Sequence, residues 1–512
     1  MKKKIILILS GLGLMLAINS CSKKLDLAPV SSISDANFWK TPDQVDAFVA
    51  GIHTAFRNNV GSFQYLGEMR ADIFGTDPGS NSAFTGEATQ GVEKLWTNTL
   101  DGNNAGVSNF GNFYFNINQI NLLIKKLNTT NLVTPANKNY YLGIGYGMRA
   151  FYYFQLVRSW GNVIIQTDPV TRIDSFNLAK PASSADSVMT LIKSDIDNSV
   201  SSFGSDYSFR NQKGYWSKSA TLMLKANVYL WTSYRGGGTA DATVVLNALN
   251  DIQTNVSGLS LLPSYANVFA STSRGNSEII FASRDLLNEA SLPFANTFFP
   301  QTGLIANFYD SVNNRKFNVA IDNWGGLLRA PIKIATYREF SDLDSRKFVS
   351  IQPAYNKVAG VYQIAGAFAN KYQGEQSAGL RVFTNDYPIY RYADLLLLKA
   401  EAEVILGQDP TNEINLVRAR AYGANYNIAV QGYPNQAIDA SPQEAILQER
   451  FLEFVFEGKR WYDLRRMDAS GKYVFEYTNI LSTDAYKLLW PIDRNTLTNN
   501  SALVQTPGYP KF

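Results

Sequence analysis

Three glutamates, Glu449, Glu453 and Glu457, recur at four-residue spacing, which puts them on one face of a helix. Carboxylates aligned in this way can ligate metal or share acid/base work, as in di-iron bundles. That chemistry ordinarily adds Glu-x-x-His pairs, and the chain has a single histidine, His53. The nearby cations Arg450, Lys459, Arg460, Arg465 and Arg466 offer a simpler role, pairing that cancels the repulsion of like charges one turn apart. The ladder therefore reads as structural, with its partners drawn from those five side chains. His53 borders an apolar helical face and reads as a satisfied edge residue. One histidine and one cysteine do not make a zinc set. Calcium needs only oxygen ligands, but no Asp-x-Asn-x-Asp-Gly loop supports it. There is no Walker sequence. Gly143, Gly145 and Gly147 sit inside a helical pattern, and Gly236 to Gly238 read as a loop between helices.

The lone cysteine has a different chemistry. Lys2, Lys3 and Lys4 precede an apolar run from Ile5 to Ile18, and Asn19, Ser20 and Cys21 follow. This is the layout of a secretory signal whose cleavage leaves Cys21 first in the mature chain, where a bacterial lipoprotein is acylated. No second cysteine exists for a disulfide. At about 0.8 kcal/mol per buried methylene, three acyl chains would hold the protein on a membrane. The expected division is a signal peptide over 1–20 and a lipidated tether over 21–40, the N-terminal lipid being the one attached group and no other cofactor being expected.

The formal charge is +4 and falls to +1 without the three signal lysines. A near-neutral chain offers no basic field for nucleic acid. Its 30 Phe, 28 Tyr and 8 Trp suit a large core, and Tyr and Trp also suit sugars, since a flat apolar face packs on C–H groups while the polar tip hydrogen-bonds.

Several elements must position these groups. Thr41, Pro42 and Gln44 form a capping box that starts a helix over 42–57 with Val45, Phe48, Val49, Ile52 and Phe56 on one face. Helical patterns follow near 110–128, 138–160, 185–200, 218–234 and 240–254. The pattern over 138–160 ends at Gly161 and Asn162. Beyond about residue 256 short apolar strands such as Glu278 to Ala282 alternate with Gly, Pro, Asn and Ser, and 285–385 holds no long helical pattern, the texture of binding loops. Helices resume at Arg391 to Gly407 and from Asn412, and Ser441, Pro442 and Glu444 open a further helix over about 442–467. Paired helices of this length suggest a solenoid of tetratricopeptide type. The expected fold is all-α dominated, with a helical part over 41–256, a loop-rich insert with short strands over 257–387 and a second helical part over 388–512.

These residues resemble the SusD/RagB outer-membrane lipoproteins of the Bacteroidetes. The resemblance rests on Cys21-Ser-Lys-Lys-Leu-Asp, on RAFYYFQLVRSWGNVII from Arg149, on PIYRYADLLLLKAEAE from Pro388, on NLVRARA from Asn415, on QERFLEFVFEGKRWYDLRR from Gln448 and on LLWPIDRNTL from Leu488. The chain departs from the pattern at Asp493, Ser501 and Thr506, all in terminal loops. The resemblance implies four tetratricopeptide-like helix pairs, oligosaccharide binding without catalysis, an outer-membrane position facing the exterior and a SusC-like TonB-dependent transporter as partner. A surface glycoside hydrolase or lyase, which needs only two placed carboxylates, and a peptide-binding helical scaffold are the alternatives.

Family motifs build scaffold, so ligand contacts are sought elsewhere. Trp96 and Trp324 stand in Gly-, Asn- and Thr-bearing contexts, and Trp324 in Asp322-Asn323-Trp324-Gly325-Gly326 reads as exposed. Asp72, Arg381 and Tyr390 are the expected polar partners.

Overall fold

The computed structural model describes residues 38–77, 84, 91–107, 110–171, 179–293 and 295–511. Cys21, the signal segment and the tether up to residue 37 lie outside the described residues. Helix α1 (Pro42–Arg57) begins with the expected box: Thr41 Oγ1 accepts from Gln44 N, and Gln44 Oε1 accepts from Thr41 N at 3.2 Å. Its buried Val45, Val49, Ile52 and Phe56 meet the core. A turn at Asn58 and Asn59 leads to α2 (Val60–Glu68), which the apolar pattern did not separate. Then come α3 (Phe110–Thr129), α4 (Pro135–Trp160), α5 (Ala185–Phe203), α6 (Lys218–Thr232) and α7 (Gly238–Asn255), each packed on its predecessor. Gly161, at φ +77°, ends α4. The glycines inside α4 permit close approach: a Cβ on Gly147 would stand 2.2 Å from Trp216 Nε1, and one on Gly143 would stand 2.6 Å from the Phe203 ring.

Strand β1 (Ile279–Ser283) opens the excursion. Within it lie β2 (Tyr309–Asp310), β3 (Arg315–Lys316), β4 (Ile351–Val358) and β5 (Val361–Ala369), which form one sheet in the order β3-β2-β4-β5, and the hairpin of β6 (Glu375–Ser377) and β7 (Leu380–Val382). Strand β8 (Tyr387–Arg391) then returns antiparallel to β1, with Ile279 opposite Arg391 and Ser283 opposite Tyr387. The excursion is thus closed at its base. Helix α8 (Tyr392–Ile405) resumes the solenoid by packing on α7, so the helical stack is continuous in space although interrupted in sequence. After α9 (Thr411–Tyr422) come α10 (Pro442–Phe454) and α11 (Arg460–Arg466).

The single helix expected over 442–467 is therefore two. The break has a physical cause in α2: the Glu68 carboxylate accepts from Phe456 N at 2.5 Å and Gly458 N at 3.0 Å, taking amides that a continuous helix would use. Phe456 (φ +66°) and Gly458 (φ +69°) turn the chain to allow this. Burial raises the Glu68 carboxyl to about 8. At the start of α10, Ser441 caps Glu444 N, but the Glu444 carboxylate meets the Ser441 hydroxyl and not its amide, so the second box is only half formed.

The carboxylate ladder is ion-paired, with partners other than those expected. Glu449 is held by Arg346 (2.6 Å) and Arg418 (3.0 Å), Glu453 by Arg346, Arg391 and Arg420, and Glu457 by Arg391 (2.8 Å) and Lys371 (2.6 Å). The glutamates point into the protein, towards the insert and α9, so cations on their own helix lie on other faces. Arg450 pairs with Asp394 and Asp463, Lys459 with Asp394, Arg460 with Asp72, and Arg466 with Glu401 and Asp463. Arg465 donates to the Arg158 carbonyl. The cations around Glu453 and Glu457 hold both carboxyls below the ordinary range despite complete burial.

Candidate binding cleft

A cleft of about 500 Å³ opens in the excursion, and every residue lining it lies between Ala266 and Asn385. Its aromatic wall is Trp324, only 5% exposed, whose ring meets Phe368 edge-on at 4.9 Å and Phe317 at 5.9 Å. The exposure expected of Trp324 is thus corrected. Asp322 is tied by Arg315 Nη1 (2.5 Å) and Nη2 (2.8 Å), and that tie folds the following tryptophan inwards onto two phenylalanines. Trp324 Nε1 has no hydrogen-bond partner, an unusual state for a buried indole donor.

Arg381, on β7, lies 5.3 Å from the Trp324 ring centroid. It donates to the Gln373 carbonyl at 2.6 Å, to Gln373 Oε1 at 3.1 Å and to the Ile321 carbonyl at 3.2 Å, while its Nε has no acceptor. Burial lowers its guanidinium from the usual arginine value. Opposite, the hydrogen bond to Asp322 raises Arg315. Asp310 accepts from Val312 N, Asn313 N and Asn313 Nδ2, and Gln352 and Asn370 add amides. The cleft combines an apolar ring wall, an unused buried donor and side chains bearing both donors and acceptors. That combination suits a neutral polyhydroxylated ligand, which needs both at short range.

A second cleft, of about 490 Å³, shares Ala266, Phe348 and Val349 with the first and continues towards Tyr422 and Asn425 after α9. The two lie on either hand of that shared wall.

Of the five residues expected at the site, the cleft gathers Trp324 and Arg381. Trp96 ends a short helix (Glu93–Trp96) and lies half-buried against the core, outside the cleft. Asp72 is bound in bidentate fashion by Arg460 Nε (2.9 Å) and Nη2 (2.7 Å), so it serves the scaffold. Tyr390 is buried on β8 and lines a small chamber with Arg158. Arg315, Asp310, Asp322 and Gln352 were missed. They come from separate loops with no common spacing, and only the place of Asp322 two residues before Trp324 signalled any of them.

His53 is satisfied as expected: Nδ1 donates to the Val49 carbonyl at 2.8 Å, and Nε2 accepts from Trp216 N at 3.0 Å. Among the described residues no cluster of three or more His, Cys, Asp or Glu side chains could hold a metal, and no helix is long and apolar enough to cross a membrane.

The SusD family model matches residues 333–509. SusD-like protein P38 of Formosa agariphila is 28% identical over 98% of each chain. Among solved structures, NanU of B. fragilis superposes with a TM-score of 0.87 at 45% identity, covering 95% of this chain and 100% of that one. A SusD superfamily protein from Bacteroides vulgatus gives 0.84 at 39% identity, over 92% and 100%. Surface glycan-binding protein A from Bacteroides thetaiotaomicron, in complex with laminarihexaose, shares the fold with a TM-score of 0.68 at 20% identity, over 91% and 99%.

Proposed function

Because the chain belongs to the SusD family, we propose that it is a surface glycan-binding protein that captures an oligosaccharide in the Trp324–Arg381 cleft and passes it to an outer-membrane transporter. The observation that carries the ligand class is one open cleft walled by Trp324 and lined by side chains that bring both hydrogen-bond donors and acceptors. Sugars are met in this way: C–H faces stack on the ring while hydroxyls take the polar groups. The complex of a fold relative with laminarihexaose supports an oligomeric ligand, as does a second cleft of similar volume beside the first.

The carboxylates in the cleft support binding without hydrolysis. Asp322 is committed to Arg315 and Asp310 to three local donors, so neither stands ready as a free acid or nucleophile. Membrane attachment through acylated Cys21 and a SusC-like TonB-dependent partner complete the proposal. They rest on the signal sequence and on family membership, and no helix among the described residues offers another route into the membrane.

A glycan array probed with the purified protein tests the ligand class, followed by calorimetry of the strongest hit. Trp324→Ala should weaken that binding by about two- to tenfold, as loss of one aromatic contact of about 0.5–1.5 kcal/mol requires. Unchanged affinity in the folded variant would remove Trp324 from the site, and release of new reducing ends would replace binding with hydrolysis. Fractionation of cells carrying Cys21→Ala should find the protein detached from membranes.

A further inference from the structure

We propose that the small chamber between α4 and α11 holds a small inorganic anion of halide size, bound by Arg158. The chamber has a volume of about 50 Å³ and is lined by Arg158, Tyr390, Tyr462, Lys459 and Asn227 among others. A water needs about 10–15 Å³ by the same measure, so the space takes a monatomic ion with one or two waters and no sugar.

Arg158 is 8% exposed and lacks a carboxylate partner among the described residues. Its guanidinium is stacked between Phe154, 4.0 Å from the ring centroid, and Tyr462, at 3.7 Å, and it donates to Gln155 Oε1 at 3.0 Å. Its Nε has no acceptor. The carboxylates that line the chamber are already taken, Glu457 by Lys371 and Arg391 and Asp463 by Arg450 and Arg466, and beyond them Asp394 is held by Arg450 and Lys459 and Glu401 by Arg466. Outside the chamber lining, Arg465 donates to the Arg158 carbonyl and has no carboxylate partner among the described residues.

A buried cation is costly unless paired. Arg158 lines the chamber with no carboxylate paired to it among the described residues, so the chamber is where an anion gains most. The stacked rings fix the plane of Arg158 and leave its edge as the donor, and the Tyr390 side chain brings an O–H to the same chamber. The anion would join α4, β8 and α11, and so the part of the fold before the excursion to the part after it.

The test uses bromide. Crystals of the protein soaked in sodium bromide should show an anomalous peak within hydrogen-bonding distance of Arg158. Thermal unfolding of the full chain in detergent, at constant ionic strength, should rise by several degrees and saturate as bromide replaces gluconate. Arg158→Gln should abolish the saturable part. If that variant fails to fold, the wild-type crystal still decides. A chamber containing water alone, or an unfolding temperature equal in bromide and gluconate, would overturn the proposal.

Discussion

Arg391 grips Glu453 twice, with Nη1 donating to the carboxylate at 2.5 Å and Nη2 to the main-chain carbonyl at 2.8 Å. Arg391 ends β8 and Glu453 lies in the last turn of α10, so this contact fastens the base of the excursion to the C-terminal helices. Glu453→Gln takes one buried carboxylate from Arg346, Arg391 and Arg420, which keep Asp344, Glu449, Glu278 and Glu457 as partners, and it should lower the free energy of unfolding by about 1–3 kcal/mol. Urea unfolding measures it. A change of less than about 1 kcal/mol would show that the ladder is not structural.

Arg381 and Asp72 separate ligand contact from scaffold. Arg381→Ala should weaken binding of the array-selected glycan severalfold with little change in stability, because its bonds are to loop carbonyls and one amide. Asp72→Asn should leave affinity unchanged and lower stability, because Arg460 loses its bidentate partner. Calorimetry and thermal melts on both variants check the contrast.

His53 makes the fold sensitive to mild acid. Burial lowers its folded value to about 4 from an ordinary 6.5, so the unfolded chain binds more protons between those limits. Stability from this residue is complete above about 6.5 and declines as pH falls towards 4, by up to about 3 kcal/mol. Glu68, raised to about 8, acts in the opposite sense, losing stability as pH rises from about 4.5 to 8. The difference between wild type and His53→Gln across pH 4 to 7 isolates the histidine: the wild type should fall more steeply on acidification.

Gly67 has no room for a side chain. A Cβ there would stand 1.7 Å from the Gly458 carbonyl oxygen, and both partners are main chain. Gly67→Ala should destabilise the protein by about 1–3 kcal/mol or more, by forcing α2 away from the turn between α10 and α11. Gly51→Ala, in open space on α1, is the control and should be neutral or slightly stabilising.

The elements that sequence made legible are those whose signal is local. The cap at Thr41, the stop at Gly161 and the apolar periods of α3 to α9 depend on neighbours in the chain. What it concealed depends on residues far apart. The turn at Phe456 is imposed by Glu68, and the burial of Trp324 depends on Phe317, Phe368 and the Arg315–Asp322 pair. The ladder glutamates were recognised as paired from their spacing, but their partners Arg346, Arg391 and Arg420 lie 33 to 107 residues away. Asp72 and Tyr390 are polar residues near apparent loops, and only tertiary pairing shows that they belong to the interior.

Since β1 and β8 close the excursion at its base, residues 284–386 form a cassette with one entrance and one exit side by side. Most of the cleft lining could therefore be transplanted between relatives by joining chains within that strand pair, leaving the wall from Ala266 to Thr272 and the helical stack in place. Lys371 and Arg346 limit such a graft. Both lie inside the cassette yet pair with Glu457, Glu449 and Glu453 outside it. A donor segment must bring a lysine and an arginine at those two places, and otherwise the three buried glutamates of its recipient keep only Arg391, Arg418 and Arg420 between them.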